Sequence, residues 1–203
     1  DCDLCPRLRN FILDQRQKQP DWFNGAVPSF GDPAASILVI GLAPGLTGAN
    51  RTGRPFTGDW AGDLLYATLA KFGFCDGVYD KHADDGLKLK DIMITNAVRC
   101  VPPQNKPVGA EINQCRPFLK SRIATLKNLS VLICLGKIAH DSTVRALGGR
   151  LKDHPFGHEA VSELGGYMLV SSYHCSRYNT NTGRLTEPMF EAVFQRAKTL
   201  LSA

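Results

Sequence analysis

Residues 36–62 read SILVIGLAPGLTGANRTGRPFTGDWAG. The run Ser36-Ile37-Leu38-Val39-Ile40 is apolar and rich in β-formers, and Gly41 ends it, the pattern of a short strand buried on both faces. After Asp59 the period changes. Trp60, Leu64, Leu65, Leu69 and Phe72 recur at helical spacing up to Gly73.

The same alternation continues outward from this segment. Residues 91–95 (DIMIT) read as a second strand and 111–129 as a helix. Residues 131–135 (VLICL), ended by Gly136, read as a third strand, with a helix over 138–147. Residues 167–172 (YMLVSS) make a fourth strand, and 187–201 a closing helix. Four buried strands separated by helices imply an α/β protein whose parallel sheet is covered on both faces. Right-handed crossovers make it a three-layer α/β/α sandwich around a central four-stranded parallel sheet. No repeat, low-complexity tract or linker divides the chain, so one domain over 1–203 is expected.

Ligands of such sheets bind beyond the carboxyl ends of the strands. Unusual residues stand there. Gly41-Leu42-Ala43-Pro44-Gly45 follows the first strand, Asn96 the second, Gly136-Lys137 the third and His174 the fourth.

The bulk composition narrows the function classes. With 43% hydrophobic and 21% charged residues the chain reads as an ordinary globular protein. No apolar run nears the length that spans a bilayer, and Asp1-Cys2-Asp3 does not begin a signal peptide. An intracellular protein away from the membrane is therefore expected. A net charge of +5 suits a polyanionic partner without demonstrating one. Seven cysteines, an odd number, argue against a disulfide scaffold. Cys2 and Cys5 form a C-x2-C pair followed by Pro6, and Cys100 and Cys115 form a second pair with fourteen residues between them. Four thiolates suit either tetrahedral zinc or a [4Fe–4S] cluster, and spacing alone does not choose. Cys134 and Cys75 read as core packing.

The loop from Gly41 to Gly62 holds six glycines, which let backbone approach a ligand closely. A phosphate loop would need Lys-Ser/Thr after the last glycine, whereas Gly53 is followed by Arg54-Pro55. No G-x-G-x-x-G is present, so no nucleotide cofactor is expected.

Taken together, GLAPG, GRPFTGDWAG, TNAVRCVPPQNKP (residues 95–107) and YHCSRYNTNTGRLT (residues 173–186) resemble the iron–sulfur branch of the uracil-DNA glycosylase superfamily, closest to its type-b, or family 5, members. The resemblance runs from Cys2 to the last helix. It implies DNA containing uracil or other deaminated bases as substrate, cleavage of the N-glycosidic bond, and a monomer working with the chromosome in the cytoplasm. It also implies a [4Fe–4S] cluster on Cys2, Cys5, Cys100 and Cys115. Gly41, Ala43, Gly45, Phe56 and Asn96 then bind the base: Phe56 offers a flat face, and the Asn96 carboxamide can donate to uracil O4 and accept from N3–H. Asp59 and His174 are the catalytic pair. His174 meets the base oxygen, and Asp59 supports the sugar cation or a water; Asp59 would also cap the helix beginning at Trp60. Arg51, Arg177, Tyr178, Asn179 and Arg184 would meet DNA, with Tyr178 as a wedge, and Arg54, Lys106 and Lys137 could reach phosphates.

Two positions depart from most relatives of this resemblance. Leu42 stands where an acidic or Asn residue is usual, so less of the barrier would fall to water activation and other deaminated bases such as hypoxanthine become acceptable. Cys175 stands where Pro usually follows the His, which loosens that loop. The rival readings are a non-catalytic or product-trapping lesion-binding protein with the same pocket, a zinc-bound structural or RNA-binding module, and a nucleotide-dependent α/β enzyme.

Overall fold

The computed structural model describes residues 2–202. Asp1 and Ala203, the outermost residues of the expected domain, lie outside them. In chain order the elements are α1 (Pro6–Lys18), β1 (Phe30–Gly31), β2 (Ile37–Gly41), α2 (Ala49–Thr52), α3 (Trp60–Lys71), β3 (Cys75–Asp76), β4 (Lys88–Leu89), β5 (Ile92–Asn96), a 3-10 turn (Pro103–Asn105), α4 (Gly109–Thr125), β6 (Val131–Leu135), α5 (Lys137–Ala146), β7 (Val161–Leu164), β8 (Tyr167–Ser172), α6 (Arg177–Asn181) and α7 (Glu187–Leu201).

The main sheet runs β1-β5-β2-β6-β8-β7, and β3 and β4 form a separate antiparallel pair. The four central strands are parallel, as the apolar runs imply. Two edge strands, β1 and β7, add antiparallel pairs that make the sheet mixed and six-stranded. Alternation along the strands supplies both covering layers. Ile37, Val39, Ile92 and Ile94 face one side with Leu65 and Leu69 of α3 and Phe190 and Phe194 of α7. Leu38, Ile40, Leu132 and Cys134 face the other, against Leu119 and Ile123 of α4 and Val144 of α5. Cys134 is fully buried there beside Thr143, and Cys75, half-buried on β3, packs against the opposite core layer, both as expected for packing.

The chain leaves β2 for its neighbour β5, then recrosses to β6 on the other side of β2. That reversal opens a crevice at the carboxyl ends of the central strands. The register sets Gly41 directly beside Asn96 at its floor. Among the described residues no helix is long and apolar enough to cross a membrane.

Candidate active site

A cavity of about 410 Å3 opens at this end of the sheet. Phe56, Asn96 and His174, from three loops far apart in sequence, all line it, together with Asp59, Ala43 and Gly45. Gly41 is not in the wall but behind it. A Cβ there would lie 2.6 Å from Phe56 Cζ and would also overlap Asn96 Oδ1, so only glycine lets these two side chains meet over the strand end.

The Phe56 conformation is held from several directions. Its backbone has φ +53°, a left-handed conformation unfavourable for a bulky residue. Arg54, two residues before, is 4% exposed and clasps Asp85 through both guanidinium nitrogens at 2.7 and 2.6 Å. Its Nε donates to Thr57 Oγ1 at 2.8 Å, and its charge lies 5.0 Å from the Phe30 ring centre and 5.4 Å from that of Tyr66. The Tyr66 hydroxyl donates to the Pro55 carbonyl at 2.7 Å, and that of Tyr79 to the Phe56 carbonyl at 3.3 Å. A Cβ on Gly62 would collide with this same Phe56 carbonyl. Arg54 is therefore a buried brace and not the phosphate contact suggested by its charge. Its hydrogen bonds hold the Asp85 carboxyl well below the usual range.

Asn96 is 6% exposed, and its Oδ1 has no hydrogen-bond partner among the described residues. A buried amide left this way is poised for a ligand, since an unmet buried polar group costs about 1–3 kcal/mol. His174 lies nearly parallel to Phe56, with ring centres 6.0 Å apart and planes 25° from one another. Burial lowers its pKa to about 4, so the ring is neutral near pH 7. Asn179 Nδ2 donates to the His174 carbonyl at 2.8 Å, and the buried Cys175 thiol reaches the Ala61 carbonyl at 3.6 Å. These contacts tie down the loop that the absent proline was expected to loosen. The same bond makes the partly exposed Asn179 a brace of the His174 backbone.

Asp59 serves two ends at once. Its Oδ1 accepts from the Gly62 N–H at 3.0 Å and caps α3, while the residue lines the cavity. Its Oδ2 fills the space a Cβ on Gly48 or Gly45 would take, at 2.5 and 3.1 Å. Burial raises its pKa. The backbone N–H groups of Ala43 and Gly45 donate to no acceptor among the described residues, which leaves them free for an anion. Asn105 and Ser176 also reach the cavity. Asn105 arrives because the Pro103–Asn105 turn places it at φ +56°, a geometry without an apolar signature in the sequence.

Of the residues expected to meet DNA or its phosphates, Arg177 lines the cavity. Tyr178 is 73% exposed on α6, and Arg177 lies 5.7 Å from the Trp60 ring at the mouth. Trp60 is itself half-exposed and donates to Thr180 at 2.9 Å, so it docks α6 onto α3 and does not pack in the core as its spacing suggests. Arg51 is exposed. Arg184 sits over Tyr173 at 4.7 Å. Lys106 is exposed, and Lys137 pairs with Asp141 at 2.7 Å.

Cys2, Cys5, Cys100 and Cys115 line a second, smaller cavity where α1 meets the loop after β5 and the first half of α4. Burial, then the neighbouring Cys115, Cys2 and Cys5, push the Cys100 thiol up to about 12. The Arg99 N–H points to Cys115 Sγ at 3.4 Å, and Arg7 clamps Glu111 at 2.7 and 2.8 Å to fix α1 against α4. Among the described residues no group of three His, Cys, Asp or Glu side chains is set to hold a single metal ion.

Comparison with known proteins gives this geometry a lineage. The family model described as the uracil DNA glycosylase superfamily matches residues 28–198. A Thermus thermophilus protein named type-5 uracil-DNA glycosylase is 44% identical, over 98% of this chain and 93% of its own length. Proteins of the same name from Mycobacterium bovis and Pyrobaculum aerophilum are 40% and 34% identical, over 98% and 97% of this chain and 78% and 87% of their own lengths. With a match of this extent behind the fold and the cavity, the chain belongs to the uracil-DNA glycosylase superfamily.

Proposed function

We propose that the chain is a monofunctional uracil-DNA glycosylase, a single-domain repair hydrolase that takes a flipped-out uracil into the cavity and cuts its N-glycosidic bond, leaving an abasic site. The observation that carries this reading is the convergence of Phe56, Asn96, Asp59 and His174 on one cavity, with the Asn96 amide oxygen buried and unpaired.

In this reading Phe56 takes the base face, and Asn96 accepts from N3–H while donating to O4. Cytosine presents the opposite donor and acceptor there and leaves the buried amide unmet, the strongest form of rejection available to a small site. As the bond breaks, positive charge grows on the sugar and negative charge on the base. Neutral His174 donates a hydrogen bond to the leaving base oxygen, and the free N–H groups of Ala43 and Gly45 add to the same field. Asp59, held as an N-cap, faces the sugar and stabilises its cation or aligns water. Leu42 lines the same cavity and supplies no acid or base, so charge stabilisation does most of the work. Such a site also accepts other deaminated bases. No release of hypoxanthine from inosine-containing DNA would remove that extension.

In this reading Arg51, Arg177, Tyr178, Asn179 and Arg184 are the DNA contacts, with the exposed Tyr178 the wedge that fills the vacated stack and Arg177 at the cavity. The four cysteines fit a [4Fe–4S] cluster: all four face one cavity, and each of Cys5, Cys100 and Cys115 senses another's charge, which a cationic core would relieve. Such a cluster, when bound, supplies a cross-link of α1, the 98–107 loop and α4. The enzyme then works as a monomer in the cytoplasm, with the chromosome.

The test is incubation with a labelled oligonucleotide carrying one uracil. Alkali-sensitive abasic sites are expected, and their absence with tight uracil-DNA binding would favour the non-catalytic lesion binder.

A further inference from the structure

A second recess, which mixes apolar and charged side chains, is not accounted for by the base cavity. It lies between α4 and α5, measures about 150 Å3, and is lined by Ile112, Asn113 and Arg116 on one side and Ile138, Asp141, Ser142 and Arg145 on the other. Ser142 is 1% exposed, yet its hydroxyl has no partner among the described residues. Arg116 Nε is buried and equally unpaired, while its terminal nitrogen donates to Asn113 Oδ1 at 2.6 Å. Neither Arg116 nor Arg145 forms an ion pair with a carboxylate among the described residues. The one acid in the wall, Asp141, is already engaged by Lys137 at 2.7 Å.

Unpaired donors on Ser142 and Arg116 beside a small recess call for a ligand made of acceptors. Two guanidiniums favour an oxyanion, because their N–H forks match paired phosphate oxygens. The place of the recess is also informative. Gly109 and Ile138, at the starts of α4 and α5, form one end of it. Asn105, four residues before Gly109, lines the base cavity, and Gly136, just before α5, abuts His174. The groove therefore leads down from the edge at which a DNA strand would arrive.

We propose that the α4–α5 recess binds a phosphate group, clasped by Arg116 and Arg145 and hydrogen-bonded by the Ser142 hydroxyl. The phosphate comes either from the backbone of the bound DNA or from free phosphate. The first source rests on the glycosylase reading and the second does not.

The test compares the wild type with Arg145→Gln, Ser142→Val and a control, Arg150→Gln, whose lost charge pairs with Asp153 outside the recess. Arg116 is left intact because it adjoins Cys115, and circular dichroism confirms folding of each variant. In the first arm, inorganic phosphate is titrated at constant ionic strength and followed by 31P line broadening. Wild type and Arg150→Gln are expected to bind it, and Arg145→Gln and Ser142→Val to lose at least about fivefold in affinity. In the second arm, anisotropy of an oligonucleotide with a non-cleavable uracil analogue is measured against salt. If the DNA backbone is the source, Arg145→Gln lowers the log–log slope by about 0.9, one phosphate's share. Loss of phosphate binding with an unchanged slope identifies free phosphate as the ligand. Phosphate affinity and salt slope both matching wild type in the two recess variants would overturn the proposal. A wild type that releases no uracil yet binds phosphate would sink the glycosylase reading alone.

Discussion

Gly41→Ala is the smallest change that tests how the base cavity is built. Gly41 does not adopt positive φ, so alanine costs the backbone nothing in conformation. The added Cβ lands 2.6 Å from Phe56 Cζ and 2.7 Å from Cε2, and on the Asn96 carboxamide. Ordinary contact begins at 3.4 Å, so the Phe56 ring must retreat by about 0.8 Å. It has little freedom to do so, since its backbone is fixed by Tyr66, Tyr79 and the Arg54–Asp85 clasp. Misplacing a binding surface by about 1 Å costs roughly 100-fold in rate, or about 2.7 kcal/mol of transition-state stabilisation. Overpacking alone should lower stability by about 1–3 kcal/mol. The assay is single-turnover uracil release at saturating enzyme, with the melting temperature measured in parallel. Adding Phe56→Leu should restore the melting temperature while leaving release slow, because room returns but the flat face does not. Release by Gly41→Ala within threefold of wild type would refute the claim that Phe56 and Asn96 act as one fixed surface.

Asp59→Asn should keep the helix cap, since Asn caps nearly as well as Asp, and so change stability by only a few tenths of a kcal/mol; uracil release should fall by about 100- to 1,000-fold, and a full-rate variant would remove Asp59 from catalysis. His174 has a folded pKa of about 4 against 6.5 for the free side chain, so the unfolded chain binds the extra proton between these values. Its contribution is thus present above pH 6.5 and lost as pH falls toward 4, worth roughly 3 kcal/mol, and urea titrations should show a shallower acid loss in His174→Gln. Asp85→Asn strips the buried Arg54 charge of its partner and should cost about 3–5 kcal/mol in denaturant titrations, far more than loss of a surface pair. With the proposed cluster on the four cysteines, anaerobic oxidation or chelation should bleach visible absorption, and limited proteolysis should then cut near α1, whose other ties include the Arg7 contacts with Glu111 and Lys106.

The central layer was legible because four strands buried on both faces leave continuous apolar runs. β6, β8 and α7 lie where the sequence places them, and β2 and β5 are displaced by a single residue. The edges were not legible. β1 is two residues long, and β7 alternates between exposed and half-buried positions around Glu163, so neither carries a strong apolar signal. Nor was α1, which buries only Leu8, Ile12 and Gln15 of thirteen residues and is held by its contacts with α4 and the cysteine loop. Trp60 shows the opposite error: its spacing fits the buried stripe of α3, but a first-turn side chain points back past the helix start, here toward α6.

The same physics decides which site residues sequence could show. Asn96 and His174 follow from a rule about where strands end, and that rule depends only on finding the strands. Arg54 depends on something else. A buried guanidinium is tolerable only with a partner and a low-polarity cage, and its partner Asp85 lies 31 residues away in a segment without periodicity. A charged loop residue therefore reads as a surface contact until the fold closes over it. What converts that basic side chain from a DNA contact into a brace is the stacked Tyr66 and Tyr79, 4.4 Å apart, which close the cage beside the strained Phe56. The strain at Phe56 and the buried ion pair thus belong together. The clasp fixes the segment from which the aromatic face is presented, and a surface salt bridge, screened and mobile, could not hold a bulky residue at positive φ.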